Sequence, residues 1–89
     1  MKVEFRRSFT KDLKSITDKS LLKRVKETIE TVEQSKTLND LPNRKKLKSE
    51  DKYFRLKIGD YRLGFALEND TVIFVRFLHR KEIYKFFNE

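Results

Sequence analysis

The chain has 89 residues, about the size of one small domain, so a single domain spanning residues 1–89 is expected. It contains no cysteine and one histidine, which excludes disulfides, thiolate metal sites and the usual sites of two or three imidazoles. Lysine and arginine number 22 against 14 acidic residues, and the net charge of +8 favours a polyanionic partner. No run approaches the roughly 20 apolar residues of a membrane span and no apolar leader opens the chain, so we expect a cytoplasmic protein without membrane contact, metal or cofactor.

The first half of the chain predicts a short strand and two amphipathic helices. Residues 2–5 alternate charged and apolar side chains, as a short edge strand does. Ser8 or Thr10 can cap a first helix, and Asp18 or Ser20 a second. The second helix has an apolar stripe at helical spacing, formed by Leu21, Leu22, Val25, Ile29 and Val32. These patterns predict a helical hairpin, which ends in a connector containing the only proline.

The second half predicts a three-stranded antiparallel meander. Its strands are residues 53–58, 61–67 and 71–78. Gly59-Asp60 and Asn69-Asp70 are the turn dipeptides between them. Residues 81–87 are expected to close the chain as a short helix whose apolar contacts are Ile83, Phe86 and Phe87. The fold class is therefore α+β, with a short N-terminal strand, a helical hairpin, a meander and a C-terminal helix.

A two-residue loop at Gly59-Asp60 fixes which residues of the first two meander strands lie opposite each other. One face, here called the inner face, is predicted to pack on the helices with Phe54, Leu56, Ile58, Leu63, Phe65 and Leu67. The outer face is predicted to carry Tyr53, Arg55, Lys57 and Arg62 above a shallow floor of Gly64 and Ala66. Lys57 is then opposite Arg62, and because like charges at opposed positions destabilise a sheet, this pair indicates a function.

The third meander strand has two possible registers, because the loop at Asn69-Asp70 can have two residues or three. A two-residue loop would put Arg76 on the core face, where an unpaired guanidinium costs several kcal/mol. We therefore expect the three-residue loop, which sends Ile73, Val75 and Phe77 to the core and Arg76 outward beside Arg62. His79 and Arg80 are expected just past the strand end, where a turn could fold them over the outer face.

Four segments resemble the RelE branch of the RelE/ParE superfamily, small bacterial toxins of toxin–antitoxin pairs. They are Lys45-Lys46-Leu47-Lys48, Tyr53-Phe54-Arg55-Leu56-Lys57-Ile58, Gly59-Asp60-Tyr61-Arg62-Leu63-Gly64-Phe65 and His79-Arg80-Lys81-Glu82-Ile83-Tyr84. The resemblance spans essentially the whole chain. It implies a metal-independent endoribonuclease that cleaves mRNA in the ribosomal A site and inhibits translation. The implied partners are mRNA on the 70S ribosome, with contacts to 16S rRNA, and an acidic antitoxin.

The resemblance also implies roles for individual residues. Arg55 and Lys57 match the family's basic pair on one strand, Arg62 its arginine on the next, and Arg80 its arginine after the last strand. Lys48 matches a basic residue that the family has ahead of the sheet. Apart from the resemblance, charge and strand register lead us to expect Lys45, Lys46 and Arg76 to bind RNA or the ribosome, and Phe86 is a further candidate. Some members carry a tyrosine that stacks on a base, for which the motif offers Tyr84 and the spacing from Arg80 offers Phe86.

Metal-free RNA cleavage requires a base for the ribose 2′-OH, a stabiliser of phosphate charge and an acid for the leaving oxygen. Arginine stays protonated and can only stabilise charge, whereas Lys57, set among cations, is the best candidate base of the sheet. His79 is a candidate acid or a structural residue, and Tyr84 stacks on a base or packs the last helix. Two alternatives are a ParE-like inhibitor of DNA gyrase and an RNA-binding module without catalysis.

Overall fold

The computed structural model describes residues 1–37, 44–46 and 52–86, with only the backbone of residues 44–46 and of Phe86. The elements in chain order are β1 (Lys2–Phe5), α1 (Arg7–Lys14), α2 (Lys19–Gln34), β2 (Arg44–Lys46), β3 (Tyr53–Ile58), β4 (Tyr61–Glu68), β5 (Thr71–His79) and α3 (Ile83–Phe86). The predicted α+β class and element order are confirmed. Strand β2 was not predicted, because a run of three cations carries no apolar alternation.

The helical hairpin begins differently from the prediction at its first helix. α1 starts after Arg6, with no side-chain cap, so Ser8 and Thr10 lie inside the helix rather than before it. The cap of α2 is Asp18, one of the two predicted candidates. It accepts hydrogen bonds from the backbone N–H groups of Ser20 at 3.0 Å and of Leu21 at 3.1 Å. None of the described helices is long and apolar enough to cross a membrane.

The sheet has five strands in the order β1-β5-β4-β3-β2. β1 pairs with β5 in parallel, and the other neighbours are antiparallel. The helices therefore connect one edge of the sheet to the other. The core lies between the inner face of the sheet and helices α1 and α2. It includes the following side chains, each at most 2% exposed: Phe9, Val25, Val32, Leu63, Phe65, Phe74 and Phe77.

The β3–β4 hairpin has the predicted register, from Tyr53 opposite Ala66 to Ile58 opposite Tyr61. Gly59 adopts φ 59°, a left-handed conformation that an L side chain disfavours, so glycine is suited to this tight turn. The predicted inner-face residues are buried, apart from Leu67, which is half-buried and packs against the core. The alternation of apolar and polar residues was sufficient to separate the two faces.

The predicted register of β5 is wrong. Glu68 is opposite Thr71, so the turn has two residues, and Asn69 tolerates its φ of 56°. The register then shifts between Gly64 and Phe65, which inserts one extra residue into β5. This bulge reverses the alternation in mid-strand, so an outward Arg76 does not require a longer loop. The core residues of β5 are Val72, Phe74 and Phe77, whereas Ile73 is opposite Ala66 and Val75 packs with α3 on the outer face.

Candidate functional site

Four cations gather where the outer face meets the β3–β4 turn. Lys57 is opposite Arg62, and Arg55 precedes Lys57 by two residues on the same face of β3. The backbone N–H of Arg80 donates to the carbonyl oxygen of Asp60 at 2.8 Å, which places the Arg80 backbone against the same turn. We call Arg55, Lys57, Arg62 and Arg80 the basic cluster.

Hydrogen bonds orient two of these guanidinium groups. Nη1 of Arg62 donates to the carbonyl oxygens of Gly59 at 3.0 Å and of Tyr61 at 2.9 Å, which holds the group over the turn. Nε of Arg55 donates to the Tyr84 hydroxyl at 2.8 Å, linking β3 to α3. An arginine fixed in this way loses little further side-chain entropy when it binds a ligand.

The basic cluster has no carboxylate partner among the described residues. The ion pairs among the described residues join Lys52 to Glu68 and Arg76 to Asp12, and neither pair includes a member of the basic cluster. Opposed cations without a carboxylate create a positive potential that favours an anion. In the described part of the chain, no group of three acidic or histidine side chains is arranged to hold a metal ion.

Helix α3 covers part of the outer face, which the sequence did not predict. Ile83 is fully buried and packs against Tyr53, Val75 and Leu78. Gly64 and Ala66 are also buried, so the open floor predicted at these two positions is wrong. Tyr84, the next residue of α3, is 48% exposed beside Arg55. Burial of one apolar side chain thus brings a phenol to the rim of the basic cluster.

His79 lies away from the predicted position. It is the last residue of β5, opposite Tyr61, and not a residue beyond the strand. Tyr61 stacks on the buried Phe77 at 5.1 Å and meets the His79 ring edge-on at 5.7 Å, which puts the imidazole on the inner face. Nδ1 of His79 accepts the Lys81 N–H at 3.1 Å. The sheet therefore separates the imidazole from the basic cluster.

Arg76 is opposite Gly64 and is held by an aspartate that sequence reasoning did not connect with it. Its Nε and Nη2 donate to Asp12 at 2.8 and 2.9 Å, with the side chains 22% and 10% exposed respectively. The two residues are 64 positions apart, so no local pattern predicts the pair. Arg76 is thus engaged by α1 and is not adjacent to Arg62 in register.

Four residues predicted to bind RNA or the ribosome remain: Lys45 and Lys46 on strand β2, Lys48, and Phe86 at the end of α3. Lys45 is opposite Arg55 and Lys46 is opposite Phe54 in the backbone register. This brings the Lys45 backbone alongside the basic cluster, through a strand that the sequence did not predict. Lys48 and the side chain of Phe86 lie outside the described residues.

Comparison with known proteins identifies the family. The protein-family model described as "ParE toxin of type II toxin-antitoxin system, parDE" matches residues 3–84 of this chain. Toxin RelE3 of Methanocaldococcus jannaschii is 46% identical over 88 residues, which cover 98% of this chain and 99% of that protein. The chain belongs to the RelE/ParE toxin family. The present chain is also 35% identical over 81 residues to putative toxin RelE1 of Methanocaldococcus jannaschii, and the match covers 90% of this chain and 89% of that protein.

Solved structures agree with the assignment of the toxin to the RelE branch. The structure described as the RelB-RelE antitoxin-toxin complex from Methanococcus jannaschii matches with a TM-score of 0.79 and 40% identity, covering 94% of this chain and 98% of that one. The YoeB dimer from Staphylococcus aureus matches with a TM-score of 0.72 at 16% identity, covering 89% of this chain and 95% of that one. This second likeness concerns the fold alone. The predicted membership of the RelE type is confirmed.

Proposed function

We propose that this RelE-type toxin is a metal-independent endoribonuclease that cleaves mRNA in the ribosomal A site and thereby inhibits translation. The observation that carries the proposal is the basic cluster, in which Lys57 and Arg62 are opposed without a carboxylate among the described residues. RNA cleavage places its largest charge on a phosphate in the transition state, and fixed cations stabilise that charge.

The first step assigns the base to Lys57. In its neutral form, the Lys57 amine takes the proton of the ribose 2′-OH, and the 2′-oxygen attacks the adjacent phosphorus. Lys57 is exposed on the outer face, opposite Arg62, so a phosphate placed between the two side chains would meet both. The guanidinium of Arg62 would then bind the non-bridging oxygens while the amine faces the ribose.

The second step expels the 5′-oxygen, which must receive a proton as it leaves. Tyr84 is better placed than His79 to donate it. The Tyr84 hydroxyl accepts the hydrogen bond from Arg55 Nε and keeps its own proton for donation, whereas the His79 ring lies on the inner face. The products are a 2′,3′-cyclic phosphate and a 5′-hydroxyl. The enzyme is restored when Lys57 releases its proton to solvent and Tyr84 regains one from solvent.

We further propose that a cognate antitoxin sequesters this toxin. RelE of Methanococcus jannaschii was solved in complex with RelB, and YoeB of Staphylococcus aureus in complex with YefM. A net charge of +8 suits an acidic antitoxin, because opposite charge accelerates association. Such a partner would keep the toxin from RNA while it covers the basic cluster.

A second candidate function follows from the description of the matching family model, which names ParE. A ParE-like toxin would bind DNA gyrase and perform no RNA chemistry. The basic cluster favours the endoribonuclease, because gyrase binding gives no reason to oppose Lys57 and Arg62 at a cost in stability.

The test is to map the 5′ ends of cellular mRNA after induction of wild type, Arg62→Ala and Lys2→Ala. Lys2 is an exposed cation of β1, outside the helical hairpin and the basic cluster, and serves as the control of equal charge change. We expect codon-phased cuts with wild type and Lys2→Ala, and a loss of about 10²-fold or more with Arg62→Ala. Cuts that persist with Arg62→Ala would refute the assigned cluster. If no cuts occur but gyrase supercoiling is inhibited, the ParE-like function is correct.

A further inference from the structure

The bulge in β5 decides which side chains of its second half face outward. Phe65 is opposite Phe74, but the neighbouring Gly64 is opposite Arg76, so Val75 is the extra residue. Strict alternation from Phe74 would turn residues 76, 78 and 80 toward the inner face. The extra residue reverses this alternation, and position 80 then belongs with the outer face.

Helix α1 stabilises the bulge, because β1 ends too early to do so. The last residue of β1, Phe5, is opposite Phe74, and β5 continues beyond it. The N–H of Arg6 donates to the Phe74 carbonyl at 2.9 Å, and the Ser8 hydroxyl donates to the Val75 carbonyl at 2.6 Å. On this side of β5, the backbone of the bulge is therefore bound by Ser8 of α1 and by the N-cap residue Arg6 instead of by β1.

Asp12 binds the two residues that follow the bulge. Its carboxylate accepts the Phe77 N–H at 2.9 Å and the Arg76 guanidinium at 2.8 and 2.9 Å. The side chains of Asp12 and Arg76 are both largely buried. The Asp12 carboxylate has few alternative orientations, because it holds a bidentate charged pair and a backbone hydrogen bond at once. One carboxylate thus fixes both a side chain and the backbone at the point where the alternation has just reversed.

We propose that Asp12 is a positioning residue of the endoribonuclease. It holds the register of β5 after the bulge and so keeps Arg80 on the outer face, beside the opposed Lys57 and Arg62. The effect on cleavage rests on the proposed function, whereas the effect on strand register does not. Arg76 then serves as the partner of Asp12 and not as an RNA contact.

The register is tested by hydrogen exchange and NMR on Asp12→Ala. Glu27→Ala is the control, because it removes an exposed carboxylate from α2 and changes the net charge equally. We expect exchange at the Phe77 amide to accelerate by at least about tenfold in Asp12→Ala only, with weakened cross-strand contacts between Leu63 and Phe77. Unchanged exchange and contacts would overturn the proposal. If Asp12→Ala does not fold, Asp12→Asn, which keeps one acceptor but loses the charged pair, is measured in its place.

A variant of Arg76 separates the two roles considered for this residue. Arg76→Lys keeps the charge but cannot bind both carboxylate oxygens. A positioning role predicts faster exchange at Phe77 and slower cleavage, as in Asp12→Ala. If Arg76→Lys exchanges like wild type and only RNA binding weakens, Arg76 is an RNA contact and the proposal is wrong.

The catalytic consequence is tested by a double-mutant cycle on ribosome-bound mRNA. We expect Asp12→Ala to slow cleavage by about 10²-fold through misplacement of Arg80. The added cost of Arg80→Ala should nearly vanish in the Asp12→Ala background, while Arg62→Ala, on β4, keeps its full cost. Equal costs of Arg80→Ala in both backgrounds would overturn the proposal. If the wild-type protein cleaves no mRNA, the proposed function is wrong, and so is the claim that Asp12 affects cleavage. The claim that Asp12 holds the register of β5 is decided separately, by hydrogen exchange at the Phe77 amide.

Discussion

Lys57 and Arg62 face each other across β3 and β4, although opposed like charges destabilise a sheet. Arg62 reduces the repulsion by turning one nitrogen toward the carbonyl oxygens of Gly59 and Tyr61. Lys57 remains exposed. In the proposed function, a phosphate between the two groups would convert their repulsion into two attractions, which explains why the chain tolerates the pair.

Substitutions of Tyr84 and His79 should have opposite effects on activity and stability. Tyr84→Phe keeps the ring but removes the proposed acid, and a general acid contributes about 10²–10⁴-fold, so we expect a loss of that order with little change in Tm. His79→Ala removes the edge contact with Tyr61 and the hydrogen bond from Lys81, so Tm should fall while the cleavage rate per folded molecule stays close to wild type. Single-turnover cleavage on programmed ribosomes and thermal melts measure the two effects. The reverse outcome would assign the acid to His79.

The elements of the fold differ in where their termini obtain hydrogen-bond partners. α2 obtains its cap locally, from Asp18, whereas α1 has no side-chain cap and instead gives its own side chains to β5. Ser8 and Asp12 both bind the second half of β5, where β1 no longer reaches. α1 therefore completes an edge of the sheet, and its position is coupled to the outer face.

The cap of α2 should make part of the stability dependent on pH. The Ser20 hydroxyl, followed by the Leu21 N–H, donates to Asp18 and lowers the pKa of that carboxyl below its ordinary value of 3.8. A lowered pKa means that the stabilisation is complete above 3.8 and is lost as the pH falls through the folded-state value. Asp18→Ala should therefore lower Tm at neutral pH, and the difference should shrink as the pH falls below 3.8 and through the folded-state pKa. Asp18→Asn, which retains an acceptor, should show a smaller difference without this pH dependence; a constant difference for Asp18→Ala would contradict the assignment.

At the level of the whole molecule, positive charge covers more than the basic cluster. The exposed cations of the helical hairpin include Lys11, Lys14, Lys23, Arg24 and Lys26. A few cations around one phosphate bind free RNA poorly at physiological salt, because each phosphate contact weakens as salt rises. In the proposed function, the hairpin supplies further contacts to ribosomal RNA while the outer face handles the message.

Ribosome association should therefore depend on the hairpin and on salt. We expect Lys23→Gln and Lys26→Gln each to reduce the slope of log affinity against log salt by about 1, as the loss of one phosphate contact does. Lys2→Gln, an exposed cation on β1, is the control and should leave the slope unchanged. Sedimentation with 70S ribosomes over a salt series measures the slopes.

If purified toxin cuts naked RNA as fast as ribosome-bound message, the dependence of cleavage on the ribosome is refuted.

The sequence by itself determined the features that depend on neighbouring residues. The α2 cap at Asp18, the β3–β4 register around Gly59 and the division of that hairpin into two faces all follow from local spacing, and all are present in the fold. Local periodicity suffices here because each of these contacts joins residues close along the chain. The resemblance to RelE toxins rested on four short segments, two of which form the β3–β4 hairpin, and it is confirmed.

Only the tertiary structure decided the contacts that join distant segments. Ser8 meets Val75 across 67 positions, Asp12 meets Arg76 across 64, and Arg55 meets the Tyr84 hydroxyl across 29. A bulge in β5 reconciled an outward arginine with a two-residue turn, which strict alternation could not anticipate. Such features depend on which polar groups remain without partners once the core has formed, and that is a property of the packed molecule, not of any window of its sequence.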